Sequence, residues 1–180
     1  MREQQIIICG LGGQGILFVT RLLAETAIAK GLPVLTSETH GMAQRGGVVV
    51  SHLKVGGFTS PLVRPGQADA LLSLKPETVP LHLHFLKKDG FIATNAKEQL
   101  EEGASHPTVT VDADELALSL GDPQAVNLIV LGRALAEQGR LFCTAEEIAS
   151  VIKQKMAGKE KQLARALAAF SAGLGQTKEA

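Results

Sequence analysis

The first fifteen residues narrow the fold more than any other part of the chain. The apolar run Ile6-Ile7-Ile8-Cys9 is followed at once by Gly10-Leu11-Gly12-Gly13-Gln14-Gly15, and a helical pattern then runs from about Ile16 to Lys30. This is G-x-G-x-x-G between a strand and a helix. The glycines permit a tight turn, close approach to main-chain N–H groups and close packing of helix on strand. A helix start also offers unpaired donors and partial positive charge. Gly31 and Pro33 then break the helix, and Val34-Leu35-Thr36 restarts the sheet.

A second glycine-rich stretch, Ser37-Glu38-Thr39-His40-Gly41-Met42-Ala43-Gln44-Arg45-Gly46-Gly47, follows the second predicted strand. It carries backbone freedom, a fixed guanidinium and a titratable ring together. In a doubly wound sheet such loops meet at one edge, so the two converge on a crevice. An anion held by the helix start near Gly15 and by Arg45 is one use of it; docking of a partner's cofactor or main chain is another. A plain βα turn with a solvated Arg45 needs the same glycines.

Further along, Val48–Val55 reads as a strand that becomes half exposed, Gly56-Gly57 turns it, and Phe58–Pro61 is expected as a short returning strand. This near-hairpin predicts a mixed sheet, since a parallel arrangement would need a crossover there. Ala70–Leu74 reads as a buried strand. A helix is expected from Pro76 to about Leu86, ending before Asp89-Gly90, with strands at Phe91–Thr94 and Thr108–Val111. The polar residues 97–106 read as a surface connection.

Pro123 is expected to open a helix ending near Gly139, and Thr144-Ala145-Glu146-Glu147 is a capping box. Leu163, Leu167, Phe170 and Leu174 form a helical stripe with Lys159, Lys161 and Arg165 on its wet side. The expected fold is a three-layer α/β/α domain with a mixed, mostly parallel sheet and a Rossmann-like start. Residues 1–180 form one domain, with 144–175 a C-terminal helical extension that packs as core or docks on a partner.

Composition removes several functions. Lys plus Arg and Asp plus Glu number 18 each, and the chain has neither Trp nor Tyr, so neither a basic field nor stacking platforms favour nucleic acid. A polar start, Met1-Arg2-Glu3-Gln4-Gln5, lacks a signal peptide's apolar region, and no apolar run is long enough to span a bilayer; a cytoplasmic protein is expected. Two cysteines, Cys9 and Cys143, cannot supply the four thiolates of an iron–sulfur cluster and read as buried small hydrophobes. His82 and His84, two apart in a predicted helix, point apart and make a poor metal pair. His40 and His52 stand isolated in sequence. No metal site is expected.

A dinucleotide enzyme is one reading, because Glu38 ends the second strand where an acidic group binds a ribose hydroxyl. Against it, a glycine-rich loop follows Glu38 and no second substrate domain is present. A regulatory nucleotide-binding module shares the same crevice without turnover.

Ile7-Ile8-Cys9-Gly10-Leu11-Gly12-Gly13-Gln14-Gly15, Glu38 to Gly47 and Val50-Ser51-His52 together resemble the gamma-type subunits of 2-oxoacid:ferredoxin oxidoreductases, and most of all the small beta subunits of the indolepyruvate branch. The likeness continues through Ser60-Pro61-Leu62, Gly66 to Leu72, Lys88-Asp89-Gly90 and Asn127 to Gly132. It implies a part in oxidative decarboxylation of an arylpyruvate to an acyl-CoA, with pyruvate or 2-oxoglutarate as alternative substrates. It also implies that thiamine diphosphate and the iron–sulfur clusters sit in a larger partner subunit, with CoA in the assembled complex and ferredoxin receiving the electrons. On this likeness Gly10, Gly12, Gly13, Gln14, Gly15, Gln44, Arg45, Gly46 and Gly47 line a cofactor-binding edge or subunit junction, with His40 a possible proton donor.

Overall fold

The structure, a computed structural model, describes residues 3–40, 46–101 and 105–175. Its centre is β1 (Gln4–Leu11), whose Ile6, Ile7, Ile8 and Cys9 are wholly buried. A strand covered on both faces needs an unbroken apolar run, and β-branched side chains suit its pleat. β3 (Val48–Val55) lies antiparallel on one side of β1 and β4 (Ala68–Ser73) parallel on the other. β2 (Val34–His40), β5 (Leu86–Asn95) and β6 (Thr108–Val111) complete the order β2-β3-β1-β4-β5-β6. The mixed sheet expected from the Val48–Val55 run is therefore present, and its one reversed strand is β3.

Three local expectations are corrected. Phe58–Pro61 forms no strand; the chain is irregular there, and the Phe58 ring instead sits 5.0 Å from the Lys54 ammonium. The Pro76–Leu86 helix is broken into a 3-10 turn (Pro76–Thr78), a short helix α2 (Val79–His82) and a second 3-10 turn (Leu83–Phe85). Pro80 lacks an N–H, so no long helical ladder extends through it. The strand expected at Phe91–Thr94 instead begins at Leu86, so Asp89-Gly90 lies within β5, where the pairing with β4 slips between Ala68 and Ala70. A side chain at Gly90 would press on Leu86, on the Lys87 carbonyl and on the Ala68 carbonyl. The glycine thus serves a bulge within a strand.

Around the sheet, α1 (Ile16–Ala29), α3 (Ala113–Ser119), α4 (Val126–Ala136), α5 (Ala145–Lys155) and α6 (Glu160–Leu174) share one large core. α3 was not anticipated, yet its signal is present: Asp112 caps it by accepting from the Glu115 N–H at 3.0 Å. α4 begins at Val126, three residues after the proline expected to open it. The capping box of α5 is formed, with Thr144 Oγ1 accepting from Glu147 N–H and Glu147 Oε2 accepting from Thr144 N–H. The opposite face has a smaller core, in which Ile7, Cys9, Leu71 and Ile92 meet Val63 and Val79. Helices cover both faces, thickly on one and thinly on the other.

The leucine stripe read on α6 is only half of its packing face. Ala166, Ala169, Phe170 and Gly173 are the buried residues, while Leu163, Leu167 and Leu174 are partly covered. Small residues let α6 lie backbone to backbone on α4. A Cβ at Gly173 would collide with the Ile129 carbonyl, and one at Gly132 with the Phe170 carbonyl. Replacing Gly173 by Ala should therefore cost about 1–3 kcal/mol through overpacking, read as a lower urea midpoint and a Tm lower by about 2–4 °C per kcal/mol. Unchanged stability would show that the helices do not meet at this point.

Candidate functional site

β1 and β2 point the same way because β3 is antiparallel to both, so their carboxyl ends reach the same edge of the sheet. There the two glycine loops join directly: the Gly12 N–H donates to the Gly47 carbonyl at 2.9 Å. The convergence read from the sequence is thus formed by a main-chain hydrogen bond. Gly46 takes φ 78°, and Gly13 φ 97°, conformations that strain any other residue.

Within the first loop the residues divide into inward and outward sets. Gln14 is a strut. Its Oε1 accepts from the Leu11 N–H at 2.7 Å, its Nε2 donates to the Leu74 carbonyl at 3.3 Å, and its own N–H donates to the Leu11 carbonyl at 3.1 Å. Gly10 leaves room for it, since a Cβ there would lie 2.7 Å from Gln14 Oε1. Gly15 starts α1 at φ 83°, and a Cβ there would collide with the Asn127 side chain of α4. Gly12 and Gly13 face outward and are exposed. A Cβ at Gly12 would make only ordinary contacts, and one at Gly13 would meet nothing within 4 Å.

Of the remaining expected site residues, Gln44 and Arg45 lie outside the described residues, as do Gly41, Met42 and Ala43. His40 closes β2 through its backbone, and its side chain is likewise outside the description. Sequence reasoning missed Asn95 and Asn127, which tie this edge together. Asn95 ends β5, where its Nδ2 donates to the Leu74 carbonyl at 3.4 Å and to Asp114 at 3.0 Å, and its Oδ1 accepts from the Ala113 N–H. Buried Asn127 accepts from the Leu128 N–H at 2.7 Å. The signal was an asparagine at the end of a buried apolar run and another inside a helix without a polar face.

The dinucleotide reading loses its geometry. In that arrangement the strand bearing the acidic residue neighbours the glycine strand. Here β3 intervenes, placing Glu38 two strand spacings, about 10 Å, to the side of β1. The loop N–H groups of Leu11, Gly12 and Gln14 are also spent inside the protein.

Both cysteines are inert small hydrophobes, as read. Burial pushes the Cys9 thiol up to about 11, with Thr78 and Ser73 opposing it, and burial with the Glu147 charge pushes Cys143 up to about 12. Among the described residues no group of three His, Cys, Asp or Glu could hold a metal. His82 and His84 do diverge, one buried and one exposed, but His52 is not isolated in space. It meets the Phe85 ring edge-on at 5.4 Å, while His82 and His84 lie 6.4 and 4.1 Å from the same ring.

A scan against family models matches residues 5–176 to the pyruvate ferredoxin/flavodoxin oxidoreductase family. The chain belongs to that family. It is a small subunit of the 2-oxoacid ferredoxin oxidoreductase class. A relative from Thermococcus kodakarensis, named indolepyruvate oxidoreductase subunit IorB, is 31% identical over 99% of this chain and 98% of its own length. Among solved structures, the gamma subunit of a keto/oxoacid ferredoxin oxidoreductase from Geobacter sulfurreducens matches 96% of each chain at TM-score 0.75 and 23% identity. A 2-oxoglutarate:ferredoxin oxidoreductase from Magnetococcus marinus, described with 2-oxoglutarate, coenzyme A and succinyl-CoA bound, matches all of this chain at TM-score 0.80 and 18% identity; the match takes up 32% of that longer chain.

The histidine cluster in this oxidoreductase subunit generates a pH prediction. The Val63 N–H donates to His52 Nδ1 at 3.2 Å, and His82 Nδ1 meets the Thr78 carbonyl at 2.7 Å. Burial lowers both rings below the usual 6.5, His82 and Lys54 adding to the effect at His52 and His84 at His82. Below about pH 6.5 the unfolded chain then binds protons that these buried rings refuse, so stability falls as the pH drops. Tm measured between neutral and mildly acid pH should show that fall, and the double variant His52→Asn/His82→Asn should flatten it. An equal slope in both proteins would refute the assignment.

Proposed function

We propose that this chain is the small subunit of an indolepyruvate-type 2-oxoacid:ferredoxin oxidoreductase, converting arylpyruvates to aryl-acetyl-CoA together with a larger partner subunit. The observation that carries this reading is the Gly12–Gly47 bond, which fastens the two glycine loops into one platform whose outward residues are main chain. Such a surface suits close approach by another protein. The arylpyruvate assignment is supported by the name of the full-length relative, whereas the structural neighbours, below 25% identity, support the fold alone.

The division of cofactors follows from the side chains. Two buried cysteines do not fit an iron–sulfur cluster, and among the described residues no group of three His, Cys, Asp or Glu is placed to hold a divalent ion. Clusters and thiamine diphosphate are therefore assigned to the larger subunit, where the thiamine supplies the carbanion chemistry of decarboxylation and the clusters pass electrons to ferredoxin. For CoA, the loop's inward N–H groups do not form a phosphate cradle, so recognition falls to the Arg45 guanidinium, whose planar fork suits a phosphate. The exposed main chain of Gly12 and Gly13 would leave room beside it for the rest of such a ligand. None of the described helices is long and apolar enough to cross a membrane; a cytoplasmic complex without membrane or nucleic acid fits this reading.

The first test is mild tagged purification from the native organism, where recovery with a large subunit and a brown iron–sulfur absorbance is expected. A colourless chain emerging alone would sink the reading. In the assembled enzyme, Arg45→Ala should raise the KM for CoA by about tenfold or more, the value of a charge-assisted hydrogen bond, while the subunits still co-elute; an unchanged KM would remove Arg45 from the site. Gly12→Leu should fold normally, because its Cβ meets only ordinary contacts, yet weaken co-purification. Full retention of the partner would show that this platform is not the junction.

A further inference from the structure

At the opposite edge of the sheet from the glycine platform lies a cavity of about 480 Å³. Gln5 on β1 and Lys54 on β3 are cross-strand partners and line its floor, on the thinly covered face. Both are nearly buried, Gln5 at 8% and Lys54 at 7% exposed. Phe58 covers the Lys54 ammonium from one side, and Arg64, Thr59, Ser60 and Gln67 complete the polar wall.

The balance of donors and acceptors in this cavity is unusual. Six of the seven surface and buried ion pairs among the described residues join lysines to carboxylates, and the seventh joins Arg133 to Glu137; Lys54 and Arg64 take part in none of them. The Gln5 side-chain amide has no partner among the described residues either. Nearby carboxylates are committed elsewhere: Asp69 accepts from the Gln5 N–H and pairs with Lys87, and Glu3 accepts from the Gly57 N–H. Two cations thus stand side by side, each raising the cost of the other, over a nearly buried amide. Burial and the neighbouring Arg64 hold the Lys54 ammonium below its usual pKa. Two like charges held beside one another without a carboxylate favour an anion placed between them.

We propose that the Lys54–Arg64 cavity binds a small phosphate-bearing anion, free phosphate or the phosphate of a small metabolite. The guanidinium would grip two oxygens, the ammonium would supply a point charge, and the Gln5 amide and the Thr59 and Ser60 hydroxyls would satisfy the remaining lone pairs. The site shares no residue with the glycine platform, so it stands or falls independently of the catalytic reading.

The test is a titration of the full-length chain with inorganic phosphate, followed by amide NMR at constant ionic strength set with chloride. Saturable, one-site shifts at Gln5, Lys54, Thr59, Ser60 and Gln67 are expected. Lys54→Met, which keeps the apolar stem, and Arg64→Gln should each bind about tenfold more weakly. Arg64 is exposed, so its variant carries the test should Lys54→Met fail to fold. Non-saturating shifts spread over other lysines, or variants that bind as tightly as the parent, would overturn the proposal. So would absence of phosphate binding coupled with loss of the large subunit from the Arg64→Gln variant, which would assign the cavity to a partner's carboxylate.

Discussion

Everything in this molecule is arranged about the burial of β1. Its isoleucines are covered on both faces, which requires strands on both flanks and layers above and below. The parallel partner β4 is reached through a long connection, whereas β3 arrives by doubling back from β2 and inserts itself against β1. That insertion sets the character of the functional edge. It separates the second strand from the first, displaces Glu38, and brings the start of β3, with Gly47 just before it, beside the turn after β1. A fingerprint that in other arrangements cradles a dinucleotide here spends its N–H groups inside the protein and leaves Gly12 and Gly13 exposed.

The layers differ in how they satisfy burial. On the thick face α4 is buried nearly all round, trapped between the sheet and α6, and it tolerates this because Gly132 and Gly173 let the two backbones touch. On the thin face the broken segment around Pro80 covers only part of the sheet, and polar side chains such as His52 and Lys54 must lie against it. Burial beneath that segment lowers the pKa of His52 and His82, and Lys54 lies against the same face without a carboxylate partner among the described residues.

Much of this was legible in the sequence where one residue type had one physical use. The Ile6–Cys9 run, the Gly10–Gly15 turn, the Thr144 box and the mixed character of the sheet followed from burial, φ and capping chemistry. What was not legible depended on partners far away in the chain. The inward role of Gln14 depends on the Leu74 carbonyl, sixty residues on, and Gly15 on Asn127; Gly90 was left outside the strand because a bulge opposite Ala68 cannot be seen locally. The spatial company of His52 was not legible because its neighbours, His82 and Phe85, come from a segment read as a regular helix. The leucine stripe of α6 concealed the glycine contact for the same reason: periodicity reports which residues are apolar, not how closely two backbones meet.

The Gln14 strut carries one further meaning. By holding Leu11, Leu74 and its own turn in place, this side chain spends the loop's conformational freedom during folding, before any other molecule arrives. An encounter with such a rigid edge loses little additional loop entropy, so more of the contact free energy remains available as affinity. The shape of the turn is then a property of the isolated chain, ready in advance, and whatever molecule meets it needs only to match it.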